Sequence, residues 1–151
     1  KTESLPFPIA GMSDEMPYES TIYSQMTEDM VDAFKRTFLE KTREAVECFR
    51  PDLILCHHLY LLTAVVREAF PQYKTAAICH GTGLRQVKKN SLERDYILAH
   101  IKELDMVFCL HREQREEISR IYGVPGERLE VIGSGFDDWR RKYELQCEIR
   151  I

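Results

Sequence analysis

Apolar positions follow no period over residues 1–26, where Pro6, Pro8, Gly11 and Pro17 break up the chain. Phe7, Ile9, Met12, Met16, Tyr18, Ile22 and Tyr23 are nonetheless too apolar for a solvated tail. The pattern predicts a long ordered loop packed on a surface, of the kind that often carries function. Thr27 then reads as an N-cap, with Glu28 and Asp29 in the first turn, where the helix dipole favours anions. Met30, Val31, Phe34, Phe38, Ala45 and Phe49 recur at roughly helical spacing, which predicts a helix to about Phe49 that stops before Pro51.

From there the pattern alternates. Short apolar runs lie at Leu53–Cys56, Thr75–Cys79, Met106–Leu110 and Leu129–Ile132. Between them the spacing predicts helices over Leu59–Phe70, from a Ser91 cap to about Leu104, and over His111–Tyr122, the last closed by Gly123. Strand-like runs alternating with helices imply βαβ units, and so an α/β fold: a Rossmann-like parallel sheet flanked by helices. The segment Gly81-Thr82-Gly83 reads as a turn, and Arg85, Lys88 and Lys89 as a basic loop after the second run. No internal repeat or low-complexity tract interrupts this order.

Composition narrows the picture. A chain of 151 residues suits one compact domain with its own core. The 21 basic and 25 acidic residues give a formal charge of −4, which argues against a broad electrostatic grip on nucleic acid. No run is long enough to span a membrane, and no signal peptide is visible, so no membrane span is expected. Five cysteines, an odd number with no CxxC pair, fit reduced thiols in a reducing compartment. The expected location is cytoplasmic. The first and last residues read as cuts within a longer protein, with Glu148–Ile151 resembling the start of a strand.

Ligands of an open parallel sheet bind outside the carboxyl ends of its strands, so the residues just after each run carry the interest. These are His57 and His58, then His80-Gly81-Thr82-Gly83, then His111, then Gly133-Ser134-Gly135-Phe136-Asp137. His100 falls on a helix instead, as a solvated or core-edge residue. Cys56-His57-His58, Cys79-His80 and Cys109-Leu110-His111 offer zinc-ligand types at neighbouring strand ends. Without CxxC or HxxxH pairing, the cysteines read better as small apolar space-fillers, and no metal is expected. A polar substrate site is the stronger reading: imidazole exchanges hydrogen bonds with hydroxyls near neutral pH, and Arg85, Gln86, Lys88 and Lys89 stand next in line for phosphate or carboxylate. Against it, the basic cluster also reads as a solvated loop, and G-x-G alone lacks the spacing of a dinucleotide fingerprint or P-loop. No G-x-S-x-G follows a strand, so Ser-His-Asp nucleophilic chemistry has no supporting motif.

Four blocks together resemble a known family: Pro51-Asp52-Leu53-Ile54-Leu55-Cys56-His57-His58, His80-Gly81-Thr82-Gly83-Leu84-Arg85-Gln86, Tyr122-Gly123-Val124, and Val131-Ile132-Gly133-Ser134-Gly135-Phe136-Asp137. In this order they look like the N-terminal domain of family 4 retaining glycosyltransferases of bacterial type, two-domain enzymes of the GT-B fold. The resemblance covers about residues 50–137 and departs from the pattern at Gly83, where an acidic residue is common. It implies transfer of a sugar from a nucleotide-sugar donor to a sugar, lipid or small-molecule acceptor, with retained configuration and no cofactor. His80 is then expected at the reaction centre as the catalytic candidate. His57, His58, Gly81, Thr82, Arg85, Gln86, Gly133, Gly135 and Phe136 are expected to bind substrate. Residues 1–137 would form the acceptor-side domain lacking its first strand, and residues 138–151 the crossing segment and start of the donor domain. Such a part is expected to be inactive alone and prone to self-association. The alternatives are a non-catalytic Rossmann-like module that binds a small anionic or sugar ligand through Arg85, Lys88 and Lys89, and a nucleotide-sugar epimerase.

Overall fold

A computed structural model describes residues 5–135. The elements run α1 (Glu28–Phe49), β1 (Leu53–His57), α2 (Leu61–Ala69), β2 (Lys74–Ile78), α3 (Thr82–Lys89), α4 (Arg94–Lys102), β3 (Met106–Cys109), α5 (Arg112–Tyr122) and β4 (Leu129–Val131). Single 3-10 turns precede α1 and β4. Thr27 caps α1 as its sequence predicts, its hydroxyl accepting from the Met30 amide at 3.3 Å. Arg50 closes α1 in a left-handed conformation just before Pro51.

The four strands are parallel and ordered β1-β2-β3-β4. Right-handed crossovers that step the same way each time put their helices on one face. Accordingly α2 packs on α4, α4 on α5, and α1 on α2. That layer and the sheet enclose a core around Leu59, Leu61, Ile97, Ile101, Val107 and Ile118, all essentially inaccessible. Alternation along the strands sends Cys56, Ala77, Val107 and Leu129 toward the helices. The other face carries Leu53, Leu55 and His57, and both leucines are about half exposed.

Two readings of the sequence need correction. Residues 82–89 are a helix, not a loop: Gly81 takes φ 83° and lets the chain turn straight from β2 into α3, which buries Leu84 and Val87. Helix α4 starts from Glu93, at φ 51°, rather than from a Ser91 cap; Asn90 Oδ1 instead accepts from the Leu92 amide at 3.1 Å and turns the chain.

The first turn of α3 lies directly on the backbone that links β1 to α2. A Cβ at Gly83 would stand 2.9 Å from the Leu59 carbonyl oxygen and 3.0 Å from its nitrogen. Glycine is required here by space rather than by dihedral angle. Gly83→Ala is expected to cost about 1–3 kcal/mol in urea unfolding, because backbone cannot yield as a side chain can. Gly126→Ala is the control: its nearest neighbour is the end of the Arg115 side chain at 3.4 Å, and its cost should stay within about 0.5 kcal/mol.

Candidate functional site

The carboxyl ends of β1 and β2 are neighbours in the sheet, so the residues that leave them meet. His57 Nδ1 lies 2.8 Å from His80 Nε2, and the two rings stack at 5.1 Å with planes 14° apart. His58 joins from the other side, its ring centroid 4.9 Å from that of His80. Its Nδ1 is 2.9 Å from the Thr82 hydroxyl in the first turn of α3. Three imidazoles and one hydroxyl therefore form a continuous polar cluster. Between His57 and His80 one ring nitrogen donates and the other accepts, and the Thr82 hydroxyl takes either role toward His58, which leaves further ring nitrogens for a ligand.

His58 reaches this position at φ 67°, a left-handed conformation unusual for a residue with a side chain. Such backbone costs on the order of 1–3 kcal/mol and persists where the surroundings fix it. Here the His58 amide donates to the Ile78 carbonyl at 3.0 Å, and Thr63 Oγ1 donates to the His58 carbonyl at 2.6 Å. One residue on, the Tyr122 hydroxyl donates to the Leu59 carbonyl at 2.6 Å. Tyr60 Oη then donates to Asn90 Oδ1 at 2.9 Å. Burial holds the His58 imidazole below its usual range, and charge on His80 or His57 pushes the same way. His58 is thus kept neutral, able to donate from one nitrogen and accept at the other.

The long N-terminal loop supplies a second wall. Its strands-in-miniature, Ile9–Gly11 and Thr21, are joined by the Thr21 amide to Ile9 and the Gly11 amide to Thr21, both at 3.1 Å. Gln86 holds the loop to α3 through Met12 O at 3.3 Å and Asp14 Oδ1 at 3.0 Å. Between loop, α1 and the β1–α2 turn lies a cavity of about 150 Å³, lined by aromatic and aliphatic side chains and by His57 and His58. The sequence marked this loop as ordered, but nothing in it indicated that Tyr23, Phe34, Phe38 and Tyr60 meet beside the imidazoles. Only the irregular surplus of apolar residues in the loop was a signal.

The remaining candidates divide. Gly81 and Thr82 belong to the cluster itself. Gln86 is buried and faces the loop, with its oxygen accepting from Asn90 Nδ2 at 3.0 Å. Arg85 is exposed on α3 and lines a polar hollow with Asp14 and Glu15. Lys88 is ion-paired with Glu117, and Lys89 with Asp14 at 3.3 Å. Two of the three cations of the basic spot are therefore already neutralised. Gly133 and Gly135 hold left-handed backbone in open space beyond β4, the strand at the opposite edge from β1. Phe136, Asp137 and residues 138–151 lie outside the described residues. His111 caps α5, its Nδ1 accepting from the Gln114 amide at 3.2 Å, and it also faces Glu113. His100 is half-buried against the Tyr96 ring.

Cysteine and histidine do not converge. Alternation puts Cys56 on the helix face and His57 on the other, while Cys79 and Cys109 are buried. Burial pushes the Cys56 and Cys79 thiols up to about 11, so both stay protonated at neutral pH. Among the described residues no group of three or more His, Cys, Asp or Glu side chains is arranged to hold a metal ion. No helix among them is long and apolar enough to cross a membrane.

Parallel Rossmann-like α/β domains bind ligands at the carboxyl rim of their strands, where these polar side chains lie. The family model for Glycosyltransferase Family 4 matches residues 29–140, and the chain belongs to that family. No curated protein matches the chain.

The depressed His58 pKa ties stability to pH. Below about pH 6.5 the unfolded chain binds a proton at His58 that the folded chain resists, so stability falls as pH drops and the loss levels off below the folded pKa. The Tm should decline as the pH is lowered below about 7. His58→Asn, which tolerates left-handed backbone, should flatten part of that decline. An identical pH slope in the variant would show that His58 is not its source.

Proposed function

We propose that this domain forms the acceptor-side wall of an enzyme that moves a sugar from a nucleotide-sugar donor to an acceptor with retention of configuration. The observation that carries the proposal is the contact of His57, His58 and His80 at one strand-end rim, open to a pocket on one side. Membership of the family supports sugar transfer in general. Transfer needs donor phosphate, donor sugar and acceptor held together in one geometry. In this reading His80, exposed at the outer edge of the cluster, lies by the donor sugar and the reacting carbon. His57 and His58 line the acceptor side, and the backbone at Gly81 allows close approach. In a front-face reaction the departing phosphate can take the acceptor proton, so His80 acts by hydrogen bonding and charge stabilisation at the centre rather than as an obligatory base.

Arg85 is the one cation of the basic spot with no ion-pair partner among the described residues, and it is proposed to meet an anionic group of the substrate. Gly133 and Gly135 are proposed to lie at the domain border toward a donor-binding half. The expected setting is the cytoplasm, where nucleotide sugars are available, and the 151-residue chain by itself is not expected to turn over sugar. A non-catalytic module binding an anion through Arg85, Lys88 and Lys89 is the lesser reading, since both lysines are already paired.

In the complete enzyme, His80→Ala should lower kcat by about 100-fold or more while leaving the Tm within about 2 °C, because the side chain is exposed. The measurement is release of free nucleotide from the donor in the presence and absence of acceptor. Unchanged turnover would remove His80 from the reaction centre, and interconversion of the donor without nucleotide release would point to epimerisation.

A further inference from the structure

The cavity beside the imidazoles differs in chemistry from the cluster that borders it. Tyr23, Phe34, Phe38, Tyr60 and Leu62 line it, with Met12 and Ala10 contributed by the N-terminal loop. The hydroxyls of Tyr60 and Thr63 are already committed to Asn90 and to the His58 carbonyl. Polar capacity therefore remains at two places. One is the rim of His57 and His58. The other is Tyr23, a tyrosine 3% exposed that lines the same pocket.

We infer that this pocket takes a hydroxyl-bearing aromatic ring as the acceptor moiety, with the ring among the aromatic side chains and its hydroxyl at the His57–His58 rim. The volume argues for one ring. An apolar cavity of about 150 Å³ is large enough to bind benzene, and this cavity is about 150 Å³. The walls argue against a bare sugar, whose ring of hydroxyls would find aromatic edges where it needs donors and acceptors. Tyr23, Phe34 and Tyr60 already meet edge to face, at 6.3 and 4.7 Å from the Tyr23 centroid, and an aromatic guest extends that arrangement. Small apolar pockets with a few convergent polar groups are the usual form of small-molecule sites. The assignment of the ring as acceptor rests on the transferase reading above; the chemistry of the pocket does not.

Benzyl alcohol is the probe, with methyl glucoside as the polar comparison. In the complete protein carrying isotope-labelled methionine methyls, benzyl alcohol should shift the Met12 methyl signal saturably, and methyl glucoside should not. Ala10→Leu, which fills the cavity from the loop, should weaken binding at least 10-fold. Tyr23→Phe, which keeps the aromatic wall and so the fold, should bind within about twofold of the unaltered protein, because the guest's hydroxyl sits at the His57–His58 rim. A Met12 signal unmoved by benzyl alcohol, moved equally in the Ala10→Leu variant, or moved more readily by methyl glucoside would overturn the assignment. Sugar transfer tested in parallel separates the two readings. An active transferase whose Met12 methyl ignores benzyl alcohol defeats the ring pocket alone. Pocket binding as described, in a protein that glycosylates no alcohol, leaves the pocket standing and defeats the acceptor role.

Discussion

The turn His58-Leu59-Tyr60 is held from every side, and the arrangement of the site follows from it. The Leu59 carbonyl accepts from the buried Tyr122 hydroxyl, sixty-three residues along the chain. Its backbone is pressed by Gly83, where no side chain would fit. The residue before is tied at its amide to β2 and at its carbonyl to Thr63. The residue after is tied through its hydroxyl to Asn90. Together these contacts offset the cost of left-handed backbone at His58 and leave its imidazole one direction to point. Loosening any of them would let the turn relax toward ordinary dihedral angles and carry the ring away from Thr82 and His80.

Placement of three imidazoles within contact has an electrostatic consequence. Burial disfavours a proton on His58, and charge on His80 or His57 would disfavour it further, so His58 is held below its usual range. Neutral rings can both donate and accept, which suits recognition of hydroxyls better than a fixed positive charge would. Two of the three cations of the basic spot are spent elsewhere: Lys88 and Lys89 tie α3 to α5 and to the N-terminal loop. That loop contributes to function only because α3 fastens it, with Gln86 gripping both its backbone at Met12 and the Asp14 carboxylate. The same helix thus positions Thr82 at its start and the pocket wall near its end.

Much of the architecture was legible in local pattern. The four apolar runs became the four strands, Thr27 capped its helix, and Gly123 closed α5 in a left-handed conformation. The errors were equally local in origin. Gly81 and Gly83 look alike in the sequence but act differently: Gly81 supplies a turn, whereas Gly83 sits within a helix because of what packs on it. Reading both as turn residues hid α3 and left its buried Gln86 grouped with the exposed Arg85. Ser91 was a plausible cap by type, yet the chain starts α4 from Glu93, whose carboxylate pairs with Lys35 at 2.6 Å, a partner fifty-eight residues away.

The order of strands and helices, the histidines at strand ends and the family to which they belong were set by residue type and spacing along the chain, because hydrophobic period and turn chemistry act over a few residues. That β1 lies beside β2, and so joins His57 and His58 to His80, was implicit in the βαβ rule. Which residues became structural and which stayed available was decided only by tertiary contacts. Gln86 and the two lysines were drawn into packing and pairing, Gly133 and Gly135 were left at the far edge, and Tyr23, Phe34, Phe38 and Tyr60 gathered into an aromatic pocket. Those outcomes depend on distances between segments tens of residues apart, and no local pattern encodes them.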